Sequence, residues 1–336
     1  MILNLIGNVN ADIKFAPSGY HTHAQEFFNA LARVNEGESK FVSAYYDGKA
    51  LHQFRGLEQA DFSICIGLPF HLNSILQAYN GKKIGYTVFE TTKIPDFSIE
   101  EMKDLDQLWV PSSWGRNILL NHGFFPRYVK VVPEGFNPEI FNLNVPPRNS
   151  LKRNSDFKFL FIGRDDDRKN IPELIRAFKR EFIKEPVSLF LSSYIPFRYE
   201  LPSKVYAINT IGNPKIFARI YRACDAYVSA SRTEGWGLPL LEAMACGLPV
   251  ITCNFGGMSE FISEENAYLV DYSLQQWDNY GVWAQPDEGH LRHQMRCVYE
   301  NYSEAKDRAM TVCKAIKKWT WKNSAKIAYQ EINRMA

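Results

Sequence analysis

The stretch Ser231-Arg-Thr-Glu-Gly-Trp-Gly-Leu-Pro-Leu-Leu-Glu-Ala-Met-Ala-Cys-Gly-Leu-Pro-Val-Ile251 decides the reading of this chain. It runs as the end of a strand, a tight glycine turn, a short helix, a glycine stop and a new strand. Asp225-Ala-Tyr-Val-Ser-Ala230, just before it, has the composition of a short buried strand. Pro239 suits the first helical position, where a missing N–H is no loss, and Gly247 suits the C-terminal cap. The amides from Gly235 to Leu240 are then expected to gather at a helix N-terminus, where anions bind. Two carboxylates, Glu234 and Glu242, bracket the turn. Because carboxylates repel an anion, the pair suits a ligand with both hydroxyls and phosphates, the acids holding hydroxyls. The plainer alternative is two surface acids at a helix start, where the dipole favours them.

Working outward, the same strand–loop–helix alternation recurs. Towards the N-terminus, residues 2–6, Phe62–Ile66, Lys83–Phe89, Gln107–Val110 and Val129–Val132 read as short apolar strands. Between them, Phe27, Phe28, Leu31 and Val34 recur at helical spacing and predict a helix over Ala24–Val34. Ser112 or Ser113 can cap another helix that Gly123 ends. A second series follows, with strands at Lys158–Ile162, Val187–Leu191, Val205–Ile211, Tyr227–Ala230 and Val250–Thr252. The tail from Glu304 is an amphipathic helix interrupted near Trp319–Trp321. Such alternation predicts parallel sheets covered by helices. Residues 135–156, rich in asparagine and proline, read as a connector, with a domain boundary near residue 150.

Composition agrees. A chain of 336 residues suggests about two domains, and 46% hydrophobic content supports a sizeable core in each. The net charge of +2 argues against a nucleic-acid protein. The six cysteines are scattered without zinc-site spacing and read as reduced thiols of a cytoplasmic protein. The N-terminus lacks the basic start of a signal segment, and no run reaches the roughly eighteen apolar residues of a membrane span.

Arg164-Asp-Asp-Asp-Arg-Lys-Asn170 lies between a predicted strand and a helix start. Arg164 and Lys169 can both face an anion there, the alternative being a solvated charged loop. Asn170 reads as an N-cap, with Glu173 completing a capping box.

These residues together resemble the retaining glycosyltransferases of family 4, which have the GT-B fold. Glu234–Val250 resembles the family signature, and Tyr221–Val228 its lead-in. Phe161-Ile-Gly-Arg164 with Lys169-Asn170 resembles its diphosphate loop, and Asn254–Glu260 its following glycine turn. Val132–Phe141 resembles the start of its interdomain crossover, and Leu108–Ser113 also matches. The resemblance is dense from about residue 107 to 270 and thinner before 85.

The resemblance implies an α/β architecture of two Rossmann-like βαβ domains facing each other across a cleft. Residues 1–150 would bind the acceptor and 151–319 the nucleotide sugar, with a C-terminal helix, 320–336, packing back on the first domain. It implies transfer of a sugar from a GDP- or UDP-sugar to a hydroxyl acceptor on a glycan, lipid-linked saccharide or glycoprotein, with retention of configuration. No cofactor or metal is expected. Glu242 would hold the ribose, while Glu234, with the amides of Gly235, Trp236 and Gly237, would hold the transferred sugar. Arg164 and Lys169, with Gly163 and the amides of Leu240 and Leu241, would bind the diphosphate. Gly19 and Tyr20 would reach over the donor, and backbone near Asn209, Ile211 and Gly212 would meet the base.

Two features stand apart from the family pattern, and a third motif invites another reading. Glu90 stands where many relatives carry histidine, and would orient acceptor or sugar; a capping carboxylate is the alternative. The first-strand loop has one glycine, Gly19, instead of a pair. Asp165–Asp167 invites a metal reading, since manganese-dependent sugar transferases of another fold use Asp-x-Asp, but the flanking cations weigh against it. His21, His23 and His71 are further polar candidates, with a structural role as the alternative for each. Phe124, Phe125, Arg127, Tyr128 and Lys130 read as local packing or as a peripheral contact with the inner membrane face. The competing activities are a GT-B nucleotide-sugar epimerase, a sugar phosphorylase and an inactive sugar-nucleotide-binding module. A dinucleotide oxidoreductase would need Gly-x-Gly-x-x-Gly after the first strand, and Gly7-Asn-Val-Asn-Ala does not supply it.

Overall fold

A computed structural model describes residues 1–7, 19–46, 51–53, 59–151, 156–193, 197, 199–209 and 213–336. Its contacts divide the chain into two compact units. One comprises Met1–Gly135, Asp278–Gly281 and Trp319–Ala336; the other comprises Phe136–Trp277 and Val282–Lys318.

The first unit is built on a seven-stranded sheet in the order β3-β2-β1-β4-β5-β6-β7. The strands are β1 (Leu3–Gly7), β2 (Ser39–Tyr46), β3 (Leu51–Gln53), β4 (Phe62–Ile66), β5 (Lys82–Tyr86), β6 (Gln107–Val110) and β7 (Val129–Val131). Neighbours pair in parallel except β2 with β3. Helices α1 (Gly19–Val34), α2 (Leu72–Leu76), α3 (Asp96–Lys103) and α4 (Ser113–Asn121) connect them. Ser112 caps α4 by accepting from the Gly115 amide, and Gly123 follows at φ +89°. Helix α1 starts five residues before the predicted Ala24, because its first turns are anchored by side chains that look polar in sequence. Tyr20 Oη bonds Thr87 and the Val88 carbonyl at 3.3 and 3.2 Å. His23 is buried among Phe27, Tyr86 and Trp321. Strands β2 and β3 were not anticipated; β2 opens on Ser39 and Lys40, and Ser43 interrupts its apolar run.

The C-terminal helix, Trp321–Met335, belongs to this unit and is capped by Thr320. Its start lies on Gly135, where a Cβ would come 2.3 Å from the Trp321 nitrogen. No larger residue fits there.

The second unit holds a six-stranded parallel sheet in the order β10-β9-β8-β11-β12-β13. These are β8 (Phe157–Ile162), β9 (Val187–Ser193), β10 (Val205–Asn209), β11 (Ala226–Val228), β12 (Val250–Thr252) and β13 (Tyr268–Leu269). An antiparallel hairpin not anticipated from sequence, β14 (Tyr272–Gln276) with β15 (Val282–Pro286), follows. Helices α5 (Ile171–Glu181), α6 (Pro214–Tyr221), α7 (Leu238–Ala245), α8 (Glu288–Glu300) and α9 (Tyr302–Ala315) complete it. The stripe Ile171, Leu174, Ile175 and Phe178 of α5 packs with Phe159, Leu189 and Leu191 in one core.

The segment read as a connector is part of this unit from Phe136, not from residue 151. Its few apolar side chains are anchors. Phe141 meets Tyr221 edge-on, ring centroids 6.1 Å apart. Arg148 donates its amide to the Arg219 carbonyl.

Candidate functional site

Strand order places the site. The chain runs from β8 to β9 on one side, then returns to β11 on the other. That reversal is a switch point, and open α/β sheets bind ligands beyond the strand ends there. Two loops flank it: Gly163–Asn170 after β8, and Ser229–Gly237 after β11.

The loops are joined by charge. Glu234 is 5% exposed. Its Oε1 accepts from Lys169 Nζ at 2.5 Å and its Oε2 from Arg168 Nη1 at 3.0 Å. Arg168 Nη1 also reaches the Thr233 carbonyl at 3.0 Å. Burial alone would raise the Glu234 carboxyl; Lys169 and Arg168 outweigh it and hold the group at about 2. Glu234 is therefore an anion at neutral pH, an acceptor fixed from behind by two cations. Arg168 escaped the sequence reading. Its clue is position alone, next to Lys169 in a charged loop.

Glycines shape the approach. A Cβ at Gly163 would come 3.3 Å from Lys169 Cε and 2.8 Å from the Phe161 ring, so the lysine passes where only glycine leaves room. Gly256 sits at φ +106°, and a Cβ there would lie 2.4 Å from the Glu234 carbonyl. The turn after β12 thus presses on Glu234 from below, and the Gly257 amide donates to that same carbonyl at 2.7 Å.

Glu242 lies on α7, partly buried, and accepts from Tyr221 Oη at 3.1 Å. Burial first, then the nearby Glu242 charge, pushes the Tyr221 phenol up, so Tyr221 remains a donor. Helix α7 begins at Leu238 on a left-handed Gly237, which puts Pro239 at the second helical position instead of the first. The Leu240 and Leu241 amides both donate to the Gly237 carbonyl, at 3.0 and 3.2 Å. The two amides expected to serve an anion are occupied by the helix itself, since unengaged donors of a helix lie earlier. Its dipole still favours negative charge there.

Residues 156–277 match the model of the family described as glycosyl transferases group 1. This chain carries a group 1 glycosyl transferase domain. An uncharacterized glycosyltransferase of Methanocaldococcus jannaschii is 31% identical over 152 residues, 41% of this chain and 39% of that relative. The chain thus matches about two fifths of that relative's length. Sucrose-phosphate synthase from Thermosynechococcus elongatus superposes with a TM-score of 0.76 at 16% identity, covering 99% of this chain and 98% of that one. Anabaena HepE in complex with UDP and glucose gives 0.71 at 13% identity, covering 100% and 99%. The fold is GT-B, with two Rossmann-like units.

In the group 1 domain, the other predicted residues fall as follows. Arg164 is about half exposed and pairs with Asp166 at 3.0 Å on its own loop. Asp166 also accepts from the Lys169 amide. Trp236 is buried with its ring against Phe261. Gly235 is buried beside it. Asn170 occupies the cap position of α5, but in the left-handed conformation, and the capping box is not made. Glu173 pairs with Arg176 instead. Asn209 ends the edge strand β10; Ile211 and Gly212 lie outside the described residues.

In the first unit, Gly19 and Tyr20 open α1, and Glu90 is exposed in the loop after β5. Desolvation pushes the Tyr20 phenol up, partly offset by its bonds to Thr87 and Val88. His71 is partly exposed, and burial lowers its imidazole. His23 is 1% exposed, with Nδ1 3.2 Å from Glu134 Oε1, close but outside hydrogen-bond geometry. Its enclosure by aromatic rings makes it a core residue. Among the described residues, no cluster of three or more histidine, cysteine or acidic side chains is placed to hold a metal. None of their helices is long and apolar enough to cross a membrane.

Proposed function

We propose that the protein is a retaining glycosyltransferase that moves a sugar from a nucleoside-diphosphate sugar to a hydroxyl acceptor without a metal ion. The observation that carries this reading is the Lys169–Glu234–Arg168 cluster joining the two loops at the switch point. It sets a fixed carboxylate beside cations, the pairing a ligand of hydroxyls and phosphates needs. Glu234 accepts from hydroxyls of the transferred sugar, and Glu242 from those of the ribose. Lys169 has three donor protons, so it can keep Glu234 and still turn one to the diphosphate. Arg164, at the loop's exposed face, closes on the same group.

Breaking the bond between the anomeric carbon and the diphosphate leaves charge on the phosphate oxygens. Arg164, Lys169 and the α7 dipole would stabilise that charge from groups the fold holds in place, which lowers the barrier. The acceptor oxygen bonds to the anomeric carbon on the face the diphosphate leaves, and its proton passes to a departing phosphate oxygen. HepE, the neighbour bound to UDP and glucose, makes UDP-glucose the first donor to try.

The test is a thermal-shift and calorimetric screen against UDP-glucose, UDP-N-acetylglucosamine and GDP-mannose, since a ligand of the folded state alone raises apparent stability. NMR of the product from the binding donor then reads the anomeric configuration. No shift with any donor, or an inverted product, counts against the proposal.

A further inference from the structure

We propose that a slot beside the β14–β15 hairpin is a saccharide subsite, receiving one sugar ring of the acceptor on the indole of Trp277. The slot has a volume of about 160 Å³ and is lined by Arg232, Gln275, Gln276, Trp277, Trp283 and Ala284. Its base is a pair of stacked indoles. Trp277 lies on Trp283 with ring centroids 3.8 Å apart and planes 16° from parallel. Trp283 is 7% exposed, while Trp277 remains partly open. One ring is therefore the support and the other the platform. Gln275 stands directly across the strand pair from Trp283 and is exposed, as is Gln276.

Arg232 forms the remaining wall and is held from three sides. Its Nη1 donates to the Asp167 carbonyl at 2.8 Å and its Nε to Gln285 Oε1 at 3.1 Å, and its own carbonyl accepts from the Ala284 amide at 3.1 Å. A flat apolar face ringed by two amides and one fixed guanidinium matches a pyranose. The ring's C–H face would lie on an indole, and its hydroxyls would meet the amide and guanidinium groups that line the slot. The volume falls below the roughly 300–1,000 Å³ of sites for drug-sized ligands, so the slot suits one ring and not a whole nucleotide.

Its place suggests the acceptor. Arg232 precedes Glu234 by two residues, and its partner Asp167 precedes Arg168 and Lys169. The slot shares this wall with the proposed diphosphate loop. Assigning the sugar to the acceptor rests on the transferase reading; the saccharide slot itself does not.

The experiment uses the full chain on an array of immobilised neutral glycans, without donor, for the wild type, Trp277→Phe, Trp277→Ala and Gln275→Ala. UDP affinity is measured for each by calorimetry. The wild type should bind neutral glycans. Trp277→Ala should lose about tenfold or more of that affinity, the size of a lost stacking contact, and Trp277→Phe should keep part of it. Gln275→Ala, on an exposed strand position, should weaken glycan binding with an unchanged melting temperature, so the test survives a poorly folded Trp277→Ala. UDP affinity should be the same throughout. No glycan bound by the wild type, or equal binding by all four proteins, overturns the subsite. A fall in UDP affinity confined to the Trp277 variants hands the slot to the nucleobase and also overturns it. Trp277-dependent glycan binding in a protein that binds no nucleotide sugar leaves the subsite standing and removes the transferase reading.

Discussion

Lys169 Nζ lies 2.5 Å from Glu234 Oε1, with both side chains less than a tenth exposed. The pair ties the loop after β8 to the loop after β11, so a change at either residue is felt in both loops. It also separates two roles that a sequence motif merges. In the proposed reaction Lys169 would carry structure and phosphate charge together, whereas Arg164, half exposed and paired with Asp166 on its own loop, would serve the phosphate alone.

Arg164→Ala and Lys169→Met should therefore diverge. Arg164→Ala should leave the melting temperature nearly unchanged, because exposed pairs contribute little, about 0–1 kcal/mol. It should lower kcat on the order of a hundredfold, as loss of one stabilising group at a developing anion does. Lys169→Met should lose activity and also destabilise by about 3–5 kcal/mol, because it strips a partner from a buried carboxylate. Thermal melts and kinetics of the two variants decide this; equal destabilisation, or near-wild-type turnover for Arg164→Ala, would sink the division of roles.

Arg168→Gln tests the electrostatics of Glu234. The carboxyl is held at about 2, below its ordinary value of 4.5. A depressed carboxyl contributes stability that is fully present above its unfolded value and lost as pH falls through its folded value. The wild type should thus shed this contribution, on the order of 3 kcal/mol, between about pH 4.5 and 2. Without Arg168 the folded value rises towards the ordinary one. The variant should be less stable at pH 7 and flatter across the acid range. Urea melts from pH 7 to pH 2.5 read both, and parallel curves for the two proteins would remove Arg168 from the cluster's energetics.

Much of this site was legible because its signals are local. Gly237, Pro239 and Gly247 mark the two ends of α7 within one short stretch, and the central strands of the second sheet are short, mainly apolar and buried segments. What stayed hidden depends on distant partners. Arg168 is one charge in a charged loop until Thr233 and Glu234 fold beside it. Tyr20 and His23 sit in a stretch that reads as a polar loop until Thr87 and the Tyr86 ring meet them. The engagement of the Leu240 and Leu241 amides follows from Gly237, not Pro239, standing at the helix entrance. The β14–β15 hairpin escaped because the alternation of Tyr272 and Leu274 with Ser273 and Gln275 spans only five residues, all of them exposed.

Gly256→Ala should break the support under Glu234. Alanine disfavours φ +106°, and its Cβ would press within 2.4 Å of the Glu234 carbonyl. Backbone strain of this kind costs about 1–3 kcal/mol, and here the contact displaces the site as well. The variant should melt lower and lose donor affinity together. A lower melting temperature with unchanged UDP affinity would show that the turn supports the fold alone.

A chelator should leave turnover intact. Asp166 is engaged by Arg164 and by the Lys169 amide, and its neighbours Arg164 and Arg168 set positive charge beside it. In the proposed reaction, charge stabilisation at the diphosphate would come from Arg164 and Lys169. Assays with EDTA, then with added manganese or magnesium, check this; a strict requirement for either ion would return Asp165–Asp167 to a metal-binding role.

Glu242→Ala and Tyr221→Phe should place the ribose. Tyr221 Oη lies 3.1 Å from both Glu242 Oε2 and the Pro239 carbonyl, which share its single proton, and this holds the carboxylate on the first turns of α7. Removing the carboxylate takes away an acceptor for two adjacent hydroxyls, and a hydrogen bond to a charged group contributes about 1.5–3 kcal/mol. UDP affinity should fall on the order of tenfold to a hundredfold in Glu242→Ala. Tyr221→Phe keeps the carboxylate but removes one of its anchors, so the loss should be smaller and should vanish for uracil alone. Calorimetry with UDP, 2′-deoxy-UDP and uracil separates the cases. If 2′-deoxy-UDP and UDP bind Glu242→Ala and the wild type with the same ratio, Glu242 does not touch the ribose, and its bond to Tyr221 is structural.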